Sequence, residues 1–307
     1  MRFATYLSPR AGDDRVALVH EGALHGLPDR DLVALLDPEL LADAGDRALR
    51  DPLEVVPEDD AVLRAPIPRP PSIRDFMAFE SHVVTANAAL EREVHPDWYE
   101  LPVFYFTNPA AVLGPRQDVP VSPGSSAFDY ELEVGVVVGT PGRDLDPAEA
   151  AAHIAGYTVL CDWSARDLQA REMKLGLGPA KGKDGATSFG PYLVTPDELP
   201  DLGTGTAPAL EMTASVNGEV WSSGNLADLY WNIGALLAYA SRGTELRAGD
   251  VLGSGTVGTG CILELAVTHG AETRPYLRPG DRVRLEVAGL GIIESMVVAG
   301  PPVRPLR

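Results

Sequence analysis

Polar and apolar positions alternate along Phe128-Asp129-Tyr130-Glu131-Leu132-Glu133, then give way to the apolar run Val134-Gly135-Val136-Val137-Val138-Gly139. Side chains alternate across a strand, so the pattern predicts one with Asp129, Glu131 and Glu133 on one face and Phe128, Tyr130, Leu132 and Val134 on the other. Apolar, β-branched surroundings place such a strand deep in a sheet, where three aligned carboxylates repel one another and need a compensating cation. An edge strand with a solvated acidic face is the competing reading of the same residues.

Elsewhere the pattern predicts strands over 3–7 and 16–20, a turn over 22–26, and short helices over 31–36 and 38–49, the last weakened by Gly45. The proline-rich stretch from Ala65 to Ser72 is stiff and marks a boundary. Residues 1–68 are therefore expected to form a small N-terminal α+β domain and residues 69–307 a larger second domain. In the second, helices are predicted over 76–92, 147–154 and 225–241, with Leu229, Ile233, Leu236 and Leu237 sharing a face of the third. Strands are predicted over 103–106, 134–138, 157–161, 210–216, 251–254, 262–267, 282–287 and 292–298, with turns at Asn217-Gly218, Pro279-Gly280-Asp281 and Gly289. The fold class is mixed α/β, predominantly β, with a curled and mostly antiparallel architecture.

Composition narrows the function. A formal charge of −19 over 307 residues leaves no basic footprint for nucleic acid or for an anionic membrane surface. Cys161 and Cys261 sit in apolar contexts without a CxxC motif and are expected to be buried free thiols. With no signal-peptide pattern and no apolar run of about 18 residues, a cytoplasmic location is expected.

Four further segments carry chemistry. Asp162 ends a buried strand, and Arg166 and Gln169 follow at i+4 and i+7, one face of a helical turn; an N-capping Asp with a local salt bridge is the plainer alternative. Asp75 precedes His82 by seven residues in a segment read as helical. The loop from Ala180 to Pro191 carries Lys181 and Lys183 but lacks the P-loop order. Small residues from Gly253 to Gly258 permit close approach of backbone to a ligand, with Glu264 on the next predicted strand. Clustered carboxylates are hard oxygen ligands, suited to Mg²⁺, Mn²⁺ or Ca²⁺ rather than zinc.

Taken in order, Glu131-Leu132-Glu133, the segment Asp162-Trp163-Ser164-Ala165-Arg166-Asp167, Val216-Asn217-Gly218, Gly249-Asp250-Val251 through Gly255-Thr256, and the closing Pro279-Gly280-Asp281 and Gly289-Leu290-Gly291 resemble the fumarylacetoacetate hydrolase family. The resemblance covers roughly residues 70 to 298. It implies a β-roll catalytic domain, a homodimer, and a divalent metal, commonly Mg²⁺, held by Glu131, Glu133 and Asp162, with Asp75 as a fourth acid. It further implies His82 as general base oriented by Glu264, Lys183 and Gln169 as oxyanion stabilisers, and Tyr105, Arg166, Thr187 and Thr256 near the substrate. The implied reaction is hydrolysis of a C–C bond in a small β-diketo acid of the acylpyruvate or fumarylacetoacetate type, through a metal-stabilised enolate. Isomerisation or decarboxylation of a 2-oxo acid on the same metal site is the alternative. Three departures stand out: Glu91 where an Arg is usual, Phe106-Thr107-Asn108-Pro109-Ala110 where Gly and Arg are usual, and Asp184-Gly185 in place of an aromatic after Lys183, with Lys181 as the fallback lysine.

Overall fold

The computed structural model describes residues 1–88, 91–200 and 207–306. One large sheet dominates the described residues. Its strands run, neighbour to neighbour, Val55–Pro57, Ala23–Gly26, Asp14–His20, Arg2–Leu7, Leu193–Val194, Ile154–Asp162, Leu132–Val138, Val251–Gly253, Ile73–Phe76 and Phe104–Thr107. A second sheet orders Glu219–Asn225, Glu211–Val216, Arg282–Val287, Gly291–Val298 and Val119–Pro120. Strand outweighs helix, and nearly all pairings are antiparallel. The strands of residues 1–68 continue the main sheet, because Arg2 and Phe3 pair with Val194 and Leu193. Phe3, Leu18 and Leu32 accordingly share a core with Val137, Leu160 and Val251.

The alternating acids do not lie on a solvated edge. Asp129, Glu131 and Glu133 are only 0%, 5% and 1% exposed. The run is interrupted, however. Phe128–Asp129 pairs with Ser164–Ala165, Glu131 makes a lone bridge to Cys261, and the continuous central strand is Leu132–Val138.

Helix Pro38–Arg50 starts as its sequence predicts: Asp37 accepts from the Glu39 and Leu40 amides, and Pro38 opens the first turn. Gly45 is tolerated there because it packs on Met1, whose Sδ would lie 2.6 Å from an added Cβ. Several predicted elements take a different form: most of the turn read over 22–26 is strand Ala23–Gly26, and the helix read over 147–154 is the single turn Ala150–His153. The segment read as helical from Phe76 begins as strand Ile73–Phe76, paired on both sides, and the helix is Glu80–Ala88; the part over 89–90 lies outside the described residues. The stretch 225–241 divides into the end of a strand, a single turn at Leu226–Asp228, and helix Ile233–Ser241 capped by Asn232. The predicted strand at 262–267 is instead helix Ile262–His269. Six residues apolar but for Glu264 do not separate the two periods, and here a distant carboxylate decides: Asp129 accepts from the Ile262 and Leu263 amides at 2.7 and 3.1 Å, capping the helix. Among the described residues no helix is long and apolar enough to cross a membrane.

Candidate active site

Adjacent strands carry the acids to one end of the large sheet. Tyr105 is in register with Asp75, Asp75 with Gly253, and Gly253 with Gly135, two residues from Glu133. Asp162 ends the next strand, in register with Thr187. Gly253 is required by this convergence, since a Cβ there would come within 2.5 Å of Asp75 Oδ1 and 2.9 Å of Glu133 Oε2. The loop that follows closes over the same carboxylate: the Gly255 amide donates to Glu133 Oε2 at 3.1 Å and Thr256 Oγ1 to Oε1 at 3.3 Å.

Lys183 stands between Glu131 and Asp162. Its Nζ donates to Asp162 Oδ2 at 2.6 Å and to Glu131 Oε2. Burial pulls its basicity down, but Asp162 and Glu131 outweigh burial and hold it protonated. Tyr105 Oη donates to Asp162 and lies 3.4 Å from Asp75 Oδ2. Arg166, on helix Arg166–Glu172, ties a second ring of groups together: Nε to Asp129 at 2.8 Å, a terminal nitrogen to Glu131 Oε1 at 2.8 Å, and the other to Gln169 Oε1 at 3.1 Å. Against the penalty of burial, Lys183, Arg166 and His82 together depress the Glu131 carboxyl far below its usual range, so Glu131 is ionised. Among the described residues Glu133 pairs with no such cation. Burial, then repulsion from Asp75 and Glu131, pushes it well up, and burial likewise raises Asp75. Burial, Glu131 and Asp75 likewise raise Asp162 despite Lys183.

His82 comes from the first turn of helix Glu80–Ala88. Its Nδ1 lies 2.9 Å from Glu264 Oε2, on helix Ile262–His269. All three groups of the base–acid–lysine set are nearly or fully buried. Thr187 Oγ1 is buried beside Asp162 without a hydrogen-bond partner among the described residues. Lys181 turns outward to pair with Asp184 at 2.7 Å, which leaves Lys183 as the lysine of the cluster. A cavity of about 340 Å³ opens beside it, lined by Tyr105, Phe106, Thr107, Asn108 and Lys183 among others. A larger cleft of about 530 Å³, lined by Arg116, Tyr192 and Arg284 among others, contains none of the predicted site residues. The structure thus gathers all twelve predicted residues around one locus. It adds two that the sequence did not single out for the site: Asp129, the buried link between Arg166 and the Glu264 helix, and the Gly255 amide. Asp129 was signalled as an acid of the alternation, and the Gly255 amide by the run of small residues from Gly253 to Gly258.

Asp75 Oδ1 and Asp162 Oδ1 are buried and receive no hydrogen bond among the described residues. Unpartnered buried carboxylate oxygens facing other carboxylates suit a hard divalent cation, so Asp75, Glu131, Glu133 and Asp162 fit such an ion. This makes a thermal prediction. The raised carboxyls of Glu133 and Asp162 bind protons more tightly folded than unfolded. Their contribution to stability is complete below the unfolded carboxylate range and drains away as pH rises toward the raised values. A cation replaces those protons. The stability difference between Mg²⁺-loaded and chelated protein should therefore widen with pH, reaching about 2.7 kcal/mol with the cation at roughly 100 times its Kd. Differential scanning calorimetry from pH 5 to 8 measures it; a difference that narrows with pH would place the cation elsewhere.

Comparison with known proteins agrees with this architecture. The family model for the fumarylacetoacetate (FAA) hydrolase C-terminal domain matches residues 72–298. The human mitochondrial oxaloacetate tautomerase FAHD2A is 32% identical over 254 residues, covering 82% of this chain and 74% of that protein. The fumarylacetoacetase of Arabidopsis thaliana is 30% identical, covering 74% of this chain and 69% of that protein. The solved fumarylacetoacetate hydrolase of psychrophilic Exiguobacterium antarcticum superposes with a TM-score of 0.75 at 25% identity, covering 97% of this chain and 99% of its own. With the match spanning every strand that carries the acids and both helices of the His82–Glu264 pair, the chain belongs to the fumarylacetoacetate hydrolase family of enzymes.

Proposed function

We propose that this enzyme hydrolyses a C–C bond in a small β-diketo acid of the acylpyruvate class. The observation that carries the reading is the His82–Glu264 pair at 2.9 Å, set beside an acid cluster that holds a protonated lysine. A divalent cation held by Glu131, Glu133, Asp162 and Asp75 would supply Lewis acidity toward the 2-oxo-acid end of the substrate. The chain's own residues do the rest. Glu264 fixes the His82 ring, and His82 takes a proton from a water molecule. The hydroxide adds to the distal carbonyl carbon, and the oxyanion that forms is met by the Lys183 ammonium, with Gln169 nearby on the Arg166 helix. The C–C bond breaks, its electron pair passes to the enolate of the 2-oxo acid, and the His82 imidazolium returns a proton to that carbon. The products are a carboxylic acid and a 2-oxo acid. Tyr105 and Arg166 keep the acids in place, and Thr187 and Thr256 offer hydroxyls at the margin of the cluster.

The similarity to oxaloacetate tautomerase favours a second reading, in which the same base moves a proton between carbon and oxygen and no C–C bond is cleaved. The two separate in one assay. Purified protein with Mg²⁺ or Mn²⁺ is given an acylpyruvate, a fumarylacetoacetate-like diketo acid and enol-oxaloacetate. Loss of the diketo chromophore with stoichiometric release of a carboxylic acid supports hydrolysis. Accelerated decay of enol-oxaloacetate with the diketo acids intact overturns it in favour of tautomerisation.

A further inference from the structure

Beside the acid cluster lies a second group of potential ligands with different chemistry. His82, Cys261 and Glu264 each offer one ligand atom, and these atoms all lie within 4.8 Å of one another. Cys261 Sγ lies 3.5 Å from Glu264 Oε2, and His82 Nδ1 lies 2.9 Å from that same oxygen. Tetrahedral zinc with bonds of about 2.0–2.3 Å separates its ligand atoms by about 3.3–3.8 Å, so small shifts would close the three groups around such an ion. The ligands also sit on firm supports. Cys261 is the residue before helix Ile262–His269, Glu264 is in that helix's first turn, and His82 is in the first turn of Glu80–Ala88. The Cys261 main chain is bridged to Glu131, and Asp129 caps the helix. His82, Cys261 and Glu264 are 7%, 0% and 1% exposed, so a bound ion would be shielded from competing water.

We propose that His82, Cys261 and Glu264 form a binding site for a soft divalent cation of the Zn²⁺ class, and that its occupancy arrests the enzyme. The all-oxygen cluster selects Mg²⁺ or Mn²⁺; a thiolate beside an imidazole and a carboxylate selects Zn²⁺ or Co²⁺. The reaction scheme gives Cys261 no task. Binding displaces the thiol proton to solvent and forms bonds from the metal to sulfur, nitrogen and oxygen, with a fourth position left open. Nδ1 is then spent on the metal instead of Glu264, the ring proton is left on Nε2, and the imidazole has no lone pair free to accept a proton from water. The arrest rests on His82 being the base; the binding does not.

The test therefore has two readouts. The full-length protein is saturated with Mg²⁺ and titrated with Co²⁺. The expected result is a near-ultraviolet thiolate-to-cobalt charge-transfer band saturating at one equivalent, bleached by Zn²⁺, lost in Cys261→Ala and kept in Cys161→Ala. No band, or one that survives Cys261→Ala, overturns the site whatever the reaction is. In the activity assay, Cys261→Ala turns over normally, and roughly tenfold or more Zn²⁺ is needed to inhibit it than to inhibit the wild type. Equal Zn²⁺ sensitivity, with the cobalt band present, overturns the arrest alone. Circular dichroism confirms the fold of each variant, and Cys261→Ser replaces the alanine variant if that one does not fold.

Discussion

His82→Ala is expected to lower kcat by roughly 10³-fold while leaving the stabilisation by Mg²⁺ within about twofold of wild type. The two halves separate because of where His82 stands. It is linked to Glu264 and acts on Glu131 only through space, and it contacts none of Asp75, Glu133 or Asp162 in the hydrogen-bonding network described above. Removing the ring deletes the proton acceptor without deleting a carboxylate oxygen from the cation's set. Glu264→Gln keeps the shape of the pair and loses its charge. It should fall between wild type and His82→Ala, since the amide still holds the ring but stabilises the imidazolium less. Steady-state kinetics and a calorimetric titration with Mg²⁺ measure both quantities on the same preparations. If His82→Ala kept more than about a tenth of wild-type kcat, the general base would lie elsewhere, because a positioned base contributes at least roughly 10²-fold.

What the sequence disclosed about this site follows from how local each feature is. The alternation over 128–133 and the i, i+4, i+7 spacing of Asp162, Arg166 and Gln169 are short-range patterns. The structure brings Arg166 and Gln169 into hydrogen-bond contact on one helix, while Asp162 stays on the strand before it. The acids are buried rather than solvated because Leu132–Val138 has a partner strand on each side, as its β-branched run requires. Features set by distant contacts were hidden. Asp75 and His82 lie seven residues apart, but one is on a strand and the other on a helix, because Val251–Gly253 and Phe104–Thr107 claim Ile73–Phe76 from both sides. The helix bearing Glu264 is capped by a carboxylate more than 130 residues earlier. Nothing within 262–267 announces that, and an apolar run of this length reads equally well as a strand. The need for glycine at 253 depends on which strand lies alongside. The sequence placed small residues there, and only the register to Asp75 explains them.

Arg166→Ala should destabilise the protein by about 3–5 kcal/mol, a larger loss than any single hydrogen bond in the cluster would account for. The guanidinium is buried and serves two buried carboxylates, Asp129 and Glu131, each at 2.8 Å. Burial alone would lower its basicity, but these two anions raise it well above normal, so the charge is fixed over any accessible pH. Among the described residues, truncation leaves Asp129 with only the Ile262 and Leu263 amides as partners, and the Glu131 carboxylate with only Lys183. An ionised carboxylate stranded in a dry core must be protonated or draw in water, and either change loosens the cap of the Glu264 helix. The cost should therefore be coupled to Asp129. The double variant Arg166→Met with Asp129→Asn removes one charge of each sign, keeps an amide oxygen for the cap, and is expected to recover part of the loss. A thermodynamic cycle from denaturant unfolding of the single and double variants measures that coupling. Additive losses would show that Arg166 acts by packing alone, and a loss below about 1 kcal/mol for Arg166→Ala would put the pair in the range of solvated surface bridges. Kinetics supply the link to function. Loosening the Glu264 helix should lower kcat in Arg166→Ala, and restoring the cap in the double variant should restore part of kcat alongside part of the stability.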